Sequence, residues 1–145
     1  MRTYIFIIST VLIALHANIA NAESLQIVSA QNEPLCSFEI ETADTPQAIE
    51  KGLMYRKHLA ENSGMWFDLS IIPPHQPIAF WMKNTLIPLD ILFIDEHNVI
   101  VDIKNNAQPQ DTSLIFPIKR PTYALEINAG KAAVCNITIG DVIHK

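Results

Sequence analysis

Leu89-Asp90-Ile91-Leu92-Phe93-Ile94-Asp95-Glu96-His97-Asn98-Val99-Ile100-Val101-Asp102-Ile103 is the stretch that decides the fold. Its first six residues carry a single polar side chain, Asp90. An apolar run of strand length, rich in β-branched and aromatic residues, reads as a central strand buried on both faces. Asp95-Glu96-His97-Asn98 is then a four-residue hairpin connection into a second strand, Val99–Ile103.

Working outward, Gly64–Leu69 and Ile78–Lys83 read as strands on either side of the loop Ile72-Pro73-Pro74-His75-Gln76-Pro77. Further upstream, Leu25–Ser29 and Leu35–Glu41 flank the turn Gln31-Asn32-Glu33-Pro34, and Cys36, Phe38 and Ile40 share one face of the second strand. Thr45-Pro46 has the form of a helix N-cap followed by proline at the first helical position. Ala48 and Ile49 then face inward, and Gly52 ends a short helix. Downstream, Asn105 to Pro121 carries three prolines and reads as a long irregular stretch over the surface. Thr122–Asn128 is a strand, Gly130 to Val134 a helical turn, and Ile137–Ile143 the last strand. With nine prolines and four glycines, strands are short and turns stiff. The fold class expected is mainly β (α+β): a compact antiparallel β-barrel or rolled sheet with one or two short flanking helices.

The first 22 residues have a different character. Arg2 precedes an apolar run from Tyr4 to Leu15, and a polar region ends in Ala20-Asn21-Ala22. This is the three-part layout of a cleavable secretory signal, and the apolar run is short of the roughly 20 residues a span requires. Residues 23–145 are then one domain, periplasmic or secreted, with no later stretch apolar enough to cross a bilayer. Loss of Arg2 makes the formal charge of −5 one unit more negative. Such an acidic chain does not attract phosphate backbones, so general nucleic-acid binding is disfavoured.

Cys36 and Cys135 are the two cysteines. In an oxidising compartment an even count favours pairing, here closing a loop of about 100 residues worth at most ~4–5 kcal/mol by chain entropy. Two buried free thiols are the alternative. Neither lies in a C-x-x-C or beside a basic residue that would favour the thiolate. His58, His75, His97 and His144 lack ligand spacing, and Met54, Met65 and Met82 sit among apolar neighbours as gap-fillers, so neither a metal nor a cofactor is expected.

Several blocks recur in order: Gly52-Leu53-Met54-Tyr55-Arg56, Gly64-Met65-Trp66-Phe67, Phe80-Trp81-Met82-Lys83-Asn84-Thr85, Pro88-Leu89-Asp90, Leu125-Glu126-Ile127-Asn128-Ala129-Gly130 and Gly140-Asp141. The sequence resembles the family called domain of unknown function 192, from about Phe38 to Val142. The resemblance implies a small β-rich single-domain fold, often exported, and carries no biochemical activity. Trp66 departs from the family's usual aliphatic residue after Gly-Met, so a buried Trp66 requires its core to repack. The cysteines are outside the resemblance.

Within those blocks Arg56, Lys83, Asn84, Thr85, Asp90 and Glu126 are polar against strongly apolar sequence. A buried Asp90 or Glu126 needs a cationic or hydrogen-bonding partner, and Arg56 and Lys83 are the available cations. Three readings compete. Arg56 bridges Asp90 or Glu126 in a purely structural clamp. Alternatively Arg56, Lys83, Asn84 and Thr85, with Trp81 or Trp66 as an apolar wall, form a pocket for an anionic or hydroxyl-rich small molecule or envelope component. In the third, Asp90 and Glu126 are the acid and base of a small envelope hydrolase or lyase with paired carboxylates. A binding or accessory module with a small polar pocket is the leading expectation.

Overall fold

The computed structural model describes residues 23–145; the expected export signal lies outside the described residues. Seven strands form one sheet: β1 (Glu23–Val28), β2 (Pro34–Ala43), β3 (Ser63–Asp68), β4 (Leu89–Ile94), β5 (Ile100–Ala107), β6 (Tyr123–Asn128) and β7 (Val142–His144). Two short helices, α1 (Pro46–Lys51) and α2 (Lys131–Val134), and a 3₁₀ turn at Leu69–Ile71 complete the elements. The spatial order is β5-β4-β6-β3-β2-β1-β7. Every pairing is antiparallel except β2 with β3. That parallel pair is possible because the chain between them, carrying α1, is long enough for a crossover.

The sheet curls until its two edges touch at one end. Val99 bridges Val142, and the Ile100 N–H donates to the Asp141 carbonyl while the Gly140 N–H donates back to Ile100. The result is a half-barrel, the rolled sheet with short helices that the sequence implies. β4 lies between β5 and β6 with all six residues buried. Its two faces feed two clusters: Leu92 and Ile94 pack with Phe38, Ile40, Leu125 and Ile127, and Ile91 and Phe93 with Met65, Phe67, Phe80 and Met82.

Local signals hold in detail around α1. The Thr45 hydroxyl accepts from the Ala48 N–H at 3.2 Å, Pro46 is the first helical residue, and Gly52 caps the end at φ +45°. Cys36 and Cys135 are joined, tying β2 to the end of α2. Trp66 is 3 % exposed and stacks on Tyr123 with ring centroids 4.9 Å apart, so the larger ring is absorbed by an aromatic partner. Gly64 is required by close approach, since a Cβ there would lie 2.8 Å from the Glu126 carbonyl oxygen.

Three boundaries differ from the expectation. Ile78–Lys83 is not a strand; it touches a neighbour through the single bridge Phe80–Ile115, after which Met82 donates to the Asp111 carbonyl. Its alternating burial comes from lying as a flap over the second cluster, a pattern that period-2 reading cannot separate from a sheet strand. β5 extends to Ala107, into the stretch read as irregular, because Asn106 and Ala107 find partners on β4. Ile137–Asp141 is a turn, and only Val142–His144 pairs as β7.

Candidate functional site

Glu126 sits in the middle of β6, flanked by Leu125 and Ile127. The register sets it across from Met65 on β3 and Ile91 on β4, so its side chain leaves the sheet on the face covered by α1 and the 72–85 segment. There it forms the floor of a cavity of about 230 Å³. The walls are the α1 end with Gly52 on one side, the Pro77–Trp81 segment on the other, and Phe67 and Thr85 between. Gly52 is needed here twice over. Its φ of +45° is hard for other residues, and a Cβ would meet the Phe67 ring at 3.3 Å and Glu126 Oε2 at 3.7 Å.

The Glu126 residue is 5 % exposed; its carboxyl takes no hydrogen bond from the described residues, and because none of their side-chain oxygens is both fully buried and unpartnered, its oxygens reach the cavity surface. Burial alone pushes its pKa up to about 8. At neutral pH the group is therefore a carboxylic acid, able both to donate and to accept a hydrogen bond.

Beyond Trp81 the cavity continues onto an open shelf lined by Gln47, Tyr55, Lys83 and Asn84 and sharing Glu50, Lys51 and Met54 with the inner part. Trp81 is 37 % exposed at the junction, with Lys83 Nζ 5.0 Å from its ring centroid. Asn84 adopts φ +57°, donates through Nδ2 to the Tyr55 hydroxyl at 2.9 Å, and accepts from the Tyr55 N–H at its carbonyl. This latches the loop after α1 to the 80–85 segment. Thr85 is buried between them. Arg120 braces the opposite wall, its guanidinium donating to the carbonyls of Ile72, Pro73 and Gln76 at 2.6–3.0 Å.

Of the residues singled out from sequence, Trp81, Lys83, Asn84, Thr85 and Glu126 gather along this groove. Arg56 and Asp90 do not. The Arg56 guanidinium forms a two-pronged pair with the Glu41 carboxylate, with Nη2 at 2.7 Å from Oε2. That hydrogen bond and charge hold Glu41 below its usual value and raise Arg56. The clamp envisaged between Arg56 and Asp90 or Glu126 is not formed.

Asp90 pairs with Ile127 and so leaves the sheet on the face opposite Glu126. It is fully buried, accepting from the Asn106 N–H at 2.8 Å and the Ala132 N–H at 3.0 Å. These bonds bind β5 and the first turn of α2 to β4. The two carboxyls thus do not face one another: Asp90 lies across from Ile127, the residue next to Glu126, and successive residues of a strand point to opposite faces. The roles of Lys51, Gly52, Phe67 and Arg120 at the groove are not legible in the sequence. Gly52 and Phe67 stand in the blocks that carry the family resemblance, and Gly52 also marks the end of α1, but neither signal points to a cavity. Among the described residues no three His, Cys, Asp or Glu side chains gather closely enough to hold a metal ion, and no helix is long and apolar enough to cross a membrane.

Comparison with known proteins agrees with this architecture. The pattern of the family DUF192, described as an uncharacterized ACR, matches residues 26–145. No curated protein matches. A crystal structure of a protein of unknown function from Novosphingobium aromaticivorans is 32 % identical with a TM-score of 0.77, covering 86 % of this chain and 85 % of that one. Another, from Sinorhizobium meliloti and described as a "putative transcription regulator", is 34 % identical with a TM-score of 0.77, covering 84 % of this chain and 92 % of that one.

Proposed function

The chain belongs to the DUF192 family, whose activity is uncharacterised, and on that premise we propose that it is an exported binding module for a small molecule. The ligand enters the groove between the α1–Gly52 corner and the 76–85 segment. It seats a polar head on Glu126 and Thr85 and lays its body along Trp81. The observation that carries this reading is the Glu126 carboxyl on the cavity floor, shielded by the fold, joined by no hydrogen bond to the described residues and open to the cavity. A carboxyl that faces a small, largely apolar-walled cavity is a natural anchor for a polar ligand head, since a hydrogen bond made there is strengthened by the low local dielectric.

Binding is favoured over hydrolysis because the second carboxylate needed for acid–base work, Asp90, is spent on backbone N–H groups of the opposite face. Export is supported by the signal-like residues 1–22 and by the Cys36–Cys135 bridge, which suits an oxidising compartment. A formal charge of −5 does not favour nucleic acid, which weighs against a transcription-regulator role like the one suggested for the Sinorhizobium relative.

Two measurements test the proposal. Protein NMR follows binding in wild type and variants while a panel of small alcohols, amides, amines and carboxylates is titrated in. A binder that loses affinity in both Glu126→Gln and Trp81→Ala is the expected result, and a panel with no such compound refutes the pocket. Fractionation with N-terminal mass analysis tests export; a cytoplasmic protein beginning before Glu23 refutes it.

A further inference from the structure

The ligand class follows from what surrounds Glu126, and the argument rests on the binding reading above. Among the described residues no cationic side chain is paired with this carboxyl, and burial is the one cause of its raised pKa. β3 presents Met65, β4 Ile91, the corner after α1 Gly52, and the 80–85 segment Thr85. On β6 itself the same-face neighbours are Ala124 and Asn128, and Asn128 Nδ2 donates to the carbonyls of Leu59 and Ala60. The charged residues lining the cavity, besides Glu126, are Glu50 and Lys51, both exposed and shared with the outer shelf. Arg56 is held by Glu41, and Lys83 stands over Trp81.

Three aromatic side chains, Phe67, Phe80 and Trp81, line the same small space. A carboxyl that shares its cavity with aromatic rings and is paired with no cation of the described residues is the combination that attracts an organic cation. The carboxylate supplies a charge-assisted hydrogen bond, and ring faces attract a desolvated ammonium. The acidic balance of the whole chain acts in the same direction at longer range.

We infer that this groove binds a small organic amine, its ammonium group seated on Glu126 among Phe67, Phe80 and Trp81. Thr85 is placed to accept one of the remaining ammonium N–H bonds. The proton balance is explicit. The free protein carries the Glu126 proton below about pH 8. The incoming ammonium keeps its own protons, so the carboxyl proton goes to solvent, one per ligand bound. A neutral hydroxyl or amide head releases none.

Benzylamine, benzyl alcohol and benzoate have nearly the same shape and differ in head charge. Each is titrated into the intact protein, with binding followed by protein NMR and proton release read in weakly buffered solution. Benzylamine is expected to bind at least about tenfold more tightly than the alcohol, as a charge-assisted contact should. Its affinity rises about tenfold from pH 6 to pH 7 and about fivefold more to pH 8, tracking ionisation of Glu126. At pH 7 nearly one proton is released. In Glu126→Gln the amine preference, the pH dependence and the proton release all vanish.

Alcohol or benzoate binding in the cavity as tightly as benzylamine overturns the amine assignment and leaves the binding module standing. Amine binding unchanged in Glu126→Gln also overturns it. Silence from all three compounds overturns the amine assignment, and silence from the broader panel as well removes both readings.

Discussion

Replacing Glu126 with Gln isolates the cost of keeping an ionisable group in the cavity floor. Gln has nearly the same shape and its desolvation does not change with pH. Glu126 has its pKa raised from 4.5 to about 8 by burial. Between those values the folded wild type holds a proton that the unfolded chain has lost. Stability therefore falls as pH rises, by about 1.4 kcal/mol per pH unit. The contribution is fully present below pH 4.5, declines through the window and is flat above about 8, a total of about 5 kcal/mol over that range. Urea unfolding of wild type and Glu126→Gln from pH 5 to pH 9, read by tryptophan fluorescence, measures it. Other titrating groups are common to both proteins and cancel in the difference. The variant is expected to gain on the wild type steadily up to about pH 8 and then hold its lead. A constant gap from pH 5 to pH 9 refutes the argument, because it means the carboxyl is solvated or paired in the folded protein.

Arg56→Ala is expected to cost no more than about 1 kcal/mol, since both partners of the Arg56–Glu41 pair are substantially exposed. Its effect should shrink with salt and fade as acid protonates Glu41, whose pKa is depressed; denaturation at two salt concentrations and two pH values checks this. Asp90→Ala strands the N–H groups of Asn106 and Ala132 in the interior and should cost about 3–5 kcal/mol, seen as a large drop in the urea midpoint. Reducing the Cys36–Cys135 bridge, whose cysteines are 99 residues apart, should lower the unfolding free energy by up to about 4–5 kcal/mol, measured by denaturation with and without reductant.

Much of the fold is legible in local chemistry. The all-buried run Leu89–Ile94 declares a central strand because no single-faced strand tolerates six consecutive core residues. Thr45, Pro46 and Gly52 mark both ends of α1 because capping is a matter of a few adjacent atoms. Ile78–Lys83 misleads for the same reason: its burial alternates like that of a strand, but its hydrogen bonds go to an irregular segment far along the chain, at Asp111 and Ile115. Spacing carries no record of such partners.

The site divides along the same line. The sequence by itself marked Glu126, Asp90, Trp81, Lys83, Asn84 and Thr85 as polar or aromatic groups out of keeping with their surroundings, and it determined the rolled β-rich architecture. Only the tertiary structure decided that Asp90 and Glu126 leave the sheet on opposite faces, that Arg56 turns away to Glu41, and that Gly52 and Phe67 close over the remaining carboxyl. Composition and periodicity report how much a residue prefers to be buried. Which face it is buried on, and beside what, depends on strand register and on loops closing over tens of residues, and these are set by the whole fold.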